Sequence, residues 1–87
     1  MGVADELGDT LARDVIAALD ELEDERFFEN IGKILGDASP TMQEAFMAAV
    51  KVRLAERRGR AFLTQALNAK RGNGVAPAAP YDGGSGH

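Results

Sequence analysis

In "GDASPTMQEAF", Gly36 to Phe46, a serine stands directly before a proline, and the pair reads as the start of a helix. The Ser39 hydroxyl can accept from first-turn amides, Pro40 suits the first helical position, and Gln43 can add polar capping contacts. No other proline occurs up to Lys70, so the spacing predicts a helix over 40–70, 31 residues or roughly 46 Å long. Its apolar stripe begins with Met42, Phe46, Ala49 or Val50, and Leu54. The turn "ERRGR" interrupts it, and Ala61, Phe62, Leu63, Ala66 and Leu67 are expected to resume it. Gly59 within this helix costs about 1 kcal/mol relative to alanine, which implies either a close backbone approach or a hinge.

Upstream, Leu7, Leu11, Val15, Ala18, Leu19 and Leu22 follow steps of three and four, predicting an amphipathic helix from about Val3 to Glu23. Continuing that stripe lands on charged residues, while Phe27, Phe28, Ile31, Ile34 and Leu35 return out of phase, so a break is expected near Asp24. A short second helix should then end near Leu35, with Gly36 as its C-terminal cap. Phe27 and Phe28 point about 100° apart, so one stripe cannot bury both equally. Either both fill the corner between helices, or Phe28 joins an interface.

From Gly72 the sequence runs "GNGVAPAAPYDGGSGH", without apolar periodicity, and reads as a flexible tail. The domain is therefore expected over 1–71 and the tail over 72–87, its "GGSGH" resembling an expression linker followed by the first residue of a histidine tag. The fold class expected is all-α: a small bundle of three helices, the third long, completed by dimerisation or by a partner. The first helix should pack on the first half of the third, the aromatic helix should close one end, and the segment around Phe62 should extend beyond them. A chain of 87 residues buries only about 60% of its unfolded surface, which favours such a supplement.

The net charge of −4 hides an asymmetry. Residues 1–37 carry eleven acids and three bases, a net of −8; residues 38–71 carry two acids and seven bases, a net of +5; the tail adds −1. Of the basic patch Lys51, Arg53, Arg57, Arg58 and Arg60, the four arginines can pair with the acidic run Asp20, Glu21, Glu23, Asp24 and Glu25, within one chain or across a dimer. Exposed pairs contribute only about 0 to 1 kcal/mol each, so they would set orientation more than stability.

No motif commits the chain to a reaction. Carboxylates one turn apart, such as Asp20 with Asp24, lack a pocket to separate their pKa values. Neither a calcium loop nor an E-x-x-H spacing is present, and Ser39 and Thr41 have no histidine partner. "GNG" after Arg71 lacks the strand–turn–helix setting of a dinucleotide site. No catalytic, cofactor or metal residues are therefore assigned. Without cysteine there is no disulfide framework, and without a long uncharged segment there is no membrane span, so a cytoplasmic protein is expected.

The remaining reading is a non-enzymatic module that docks another protein or a second copy through Phe28, Phe62, Leu63, Ala66 and Leu67. Nucleic acid ranks lower as a partner for the patch at 51–60, because the chain is acidic overall and its phenylalanines fall on core stripes. A precursor peptide, with a helical leader and a modifiable tail, shares this layout as well.

Overall fold

The structure is a computed structural model that describes residues 2–72. Three helices account for nearly all of them: α1 (Val3–Leu22), α2 (Phe27–Ala38) and α3 (Pro40–Lys70). Two compact units divide the chain, Met1–Glu56 and Arg57–His87. The expected tail, apart from Gly72, and the tag remnant lie outside the described residues.

Capping chemistry sets the boundaries. The Met42 amide donates to Ser39 Oγ at 3.2 Å, and the Gln43 amide donates to the Ser39 carbonyl at 3.0 Å, so Ser39 starts α3 as expected. The same residue closes α2, its amide donating to the Leu35 carbonyl at 2.7 Å. α1 ends at Glu23, which adopts the left-handed conformation with φ 55°. There the Glu23 and Asp24 amides return to the carbonyls of Asp20 and Leu19 at 3.1 and 3.3 Å. That pattern is the usual glycine-terminated helix end, here formed by a glutamate. Asp24 Oδ1 then accepts from the Arg26 amide at 3.1 Å and turns the chain into α2.

The core of the first unit consists of Ala12, Val15, Ile16 and Leu19 from α1 with Phe46 and Val50 from α3. Phe27, Phe28, Ile31, Leu35, Met47 and Leu54 pack partly buried around it. Both phenylalanines thus flank the core.

The buried stripe of α1 keeps Val15 and Leu19 of the expected one, and elsewhere is shifted by one residue. Gly8, Ala12, Val15, Ile16 and Leu19 are buried, whereas Leu7 and Leu22 remain 55% and 46% exposed. The reason lies in the approach of α3. A β-carbon built on Gly8 would stand 3.0 Å from the Ala45 carbonyl carbon, the Ala45 β-carbon and the Phe46 nitrogen. Only a side chain of minimal size admits that contact, so Gly8 faces inward and Leu7, about 100° around the helix, turns outward.

Gly36 also departs from expectation. It lies inside α2, which runs on to Ala38. A β-carbon there would meet the Gln43 amide group at 2.5 Å. Gln43 needs this space because its Nε2 donates to the Gly32 carbonyl at 2.9 Å, tying α3 to α2 instead of capping its own helix.

Candidate functional site

The faces of α3 define the site. Within 40–56, Phe46 and Val50 are wholly buried. Val52 lies about 200° around the helix from Val50 and is 69% exposed, with Ala48 and Ala55 exposed beside it. This part of α3 therefore carries two apolar faces, of which α1 and α2 cover one.

Within 57–70, α3 is a simpler amphipathic helix. Leu63 and Leu67 stand one turn apart and are 51% and 40% exposed, flanked by half-buried Phe62 and Ala66. Arg57, Thr64 and Asn68 lie off this face, about 100° to 140° around the helix from Leu63. Of the residues expected to resume the stripe, Phe62 and Ala66 are half-buried and Ala61, Leu63 and Leu67 are exposed.

α3 runs unbroken through Gly59, and a β-carbon there would meet nothing within 4 Å of the chain.

Arg53 has a different partner from the acidic run expected for it. Arg53 forms a two-point ion pair with Asp9, Nε to Oδ1 at 2.8 Å and Nη2 to Oδ2 at 2.9 Å. The arginine thus crosses from α3 to α1 near its N-terminus, not to the acidic run 20–25. The hydrogen bond from Arg53 holds the Asp9 carboxyl below its ordinary range and raises the Arg53 guanidinium. Lys51, Arg57, Arg58 and Arg60 are exposed, as are Asp20, Glu21, Glu23, Asp24 and Glu25. Within the acidic run, Glu23 and Asp24 already shape the turn between α1 and α2. Asp20, Glu21 and Glu23 also place negative charge at a helix C-terminus, where the macrodipole disfavours it.

No described polar or charged residue is buried. Among the described residues, no three histidine, cysteine, aspartate or glutamate side chains gather as a metal site. No described helix is long and apolar enough to cross a membrane.

The exposed face of Ala48, Val52 and Ala55 was not picked out from the sequence. Its signal is available there, because these residues fall outside the stripe of Phe46 and Val50 yet carry no charge. No protein family, curated protein or solved structure matches the chain.

Proposed function

We propose that the protein is a non-enzymatic interaction module that docks another protein chain through the exposed apolar face of α3, in the manner of an adaptor, inhibitor or regulatory subunit. The observation that carries this reading is the exposure of Leu63 and Leu67, one turn apart on a helix that carries Arg57, Thr64 and Asn68 on its other sides. Water-exposed leucines at i and i+4 are the anchors by which an amphipathic helix lies in a groove or against another helix. Fully burying a leucine contributes about 1.5 to 3 kcal/mol, and Leu63 and Leu67, at 51% and 40% exposure, have roughly half of that to gain. The surrounding arginines supply orientation and steering.

Affinity capture from a lysate of the source organism, with and without nuclease, tests the reading. A stoichiometric protein is expected to survive nuclease with the unaltered chain and to be lost with Leu63→Asp/Leu67→Asp. Retention of nucleic acid, with all proteins lost on digestion, would instead assign Lys51, Arg53, Arg57, Arg58 and Arg60 to phosphates.

A further inference from the structure

The second unit has a charge pattern of its own. Residues 57–71 hold five bases, Arg57, Arg58, Arg60, Lys70 and Arg71, and no acid. The apolar residues Phe62, Leu63, Ala66 and Leu67 span an arc of about 140° at 100° per residue. Arg58 precedes Phe62 by four residues, so it stands about 40° beyond that edge of the arc. The Arg71 amide donates to the Leu67 carbonyl at 3.0 Å, which carries the helical ladder one residue past Lys70. Arg71 therefore stands about 40° beyond the other edge, and Lys70 closes the C-terminal end. All three bases are exposed. The exposed leucines are thus bordered by cations on both edges and at one end.

We propose that this face docks in an apolar groove of another protein whose rim is lined with carboxylates. The inference rests on the docking reading above and names the chemistry of the partner. Charge complementarity decides the occupant. Two copies of this face would bring five cations against five with no acid between them, so like charges oppose self-pairing. Helices that lie on an anionic lipid surface carry their lysines and arginines across the polar side. Here Ala61, Thr64, Gln65 and Asn68 fill most of that side, and Arg58, Lys70 and Arg71 stand at the borders of the apolar arc. A cation at the border meets the rim of a groove, where an acid pairs with it, steers the encounter and disfavours basic partners.

The full chain with a photo-cross-linking amino acid at Leu63 tests this in lysate, the contacted peptide being identified by mass spectrometry. That peptide is expected to come from a surface rich in aspartate and glutamate. Adduct yield should fall at least about tenfold when salt is raised from about 0.05 M to about 0.5 M. Arg58→Gln/Arg71→Gln should cause a similar loss, and Arg57→Gln, off the face, less than about twofold. An adduct whose yield ignores salt, one on a surface without acids, or an equal loss in Arg57→Gln would overturn the acidic rim and leave protein docking standing. No adduct at either salt would overturn the docking reading, and this inference with it. Binding of the full chain to vesicles of phosphatidylcholine and phosphatidylglycerol, lost in Arg58→Gln/Arg71→Gln, would overturn it in favour of lipid. Adducts joining residues 57–70 of two copies would overturn it in favour of self-pairing.

Discussion

Gly8 of α1 lies against the backbone of Ala45 in α3 so closely that a β-carbon at position 8 would come within 3.0 Å of the Ala45 carbonyl carbon. That contact fixes which side of α1 faces inward, and with it which apolar residues are left for other uses. Leu7, about 100° around the helix from Gly8, is left outside the core by it.

The two helical glycines at 8 and 59 should respond oppositely to the same substitution. Gly8→Ala gains up to about 1 kcal/mol of helix propensity but forces a packed backbone apart, which costs about 1 to 3 kcal/mol, so a net loss is expected. Gly59→Ala meets no neighbour and should raise helicity and stability by up to about 1 kcal/mol. Urea unfolding followed by circular dichroism reads both. A stabilising Gly8→Ala would mean that α1 and α3 are not in close contact there.

Phe46 is wholly buried in a cluster of only six fully packed apolar residues. Phe46→Ala should cost about 3 to 5 kcal/mol. For a domain this small, that approaches the entire stability, and the variant should show no cooperative thermal transition.

Glu23 holds a left-handed backbone conformation at the end of α1, which costs a residue with a β-carbon roughly 1 kcal/mol. Glu23→Gly should therefore stabilise the chain by about 0.5 to 1 kcal/mol, the strain relieved being partly offset by a freer unfolded state. Chemical denaturation checks this. The substitution also removes an acid from a helix C-terminus, so Glu23→Gln is needed to separate charge from backbone.

The pairing of Asp9 with Arg53 gives stability a defined pH dependence. Arg53 lowers the Asp9 pKa in the folded state, so the contribution is fully present above the unfolded carboxylate value and is lost as pH falls through the lower folded value. Urea midpoints measured downward from about pH 6 should fall through the acid range, and less steeply in Asp9→Asn. Both groups are at the surface, so added salt should shrink the difference.

Much of this architecture is legible in the sequence because it rests on local chemistry. Ser39 and Pro40 announce α3 through capping and a fixed φ, and the phase slip after Leu22 announces the turn before Phe27. Features that depend on how helices cross are not legible in the same way. Counting large apolar residues places Leu7 inward, because it gives no weight to a glycine whose role is to be absent. Gly36 resembles a cap until Gln43 is seen reaching Gly32. The partner of Arg53 is Asp9 only because α3 meets α1 near its N-terminus, whereas composition points to the denser acids at 20–25. The apolar run from Phe62 to Leu67 is visible in both sequence and structure, and its spacing is what distinguishes it from the core stripe.

The docking role of α3 is tested most directly by a photo-cross-linking amino acid placed singly at Leu63 and at Asn68, about 140° apart around the helix, and activated in living cells. The account predicts that position 63 gives a discrete protein adduct and that position 68 gives little or none. Equal cross-linking at the two positions, or adducts at 68 alone, would contradict the assignment of the apolar face of α3 as the contact surface.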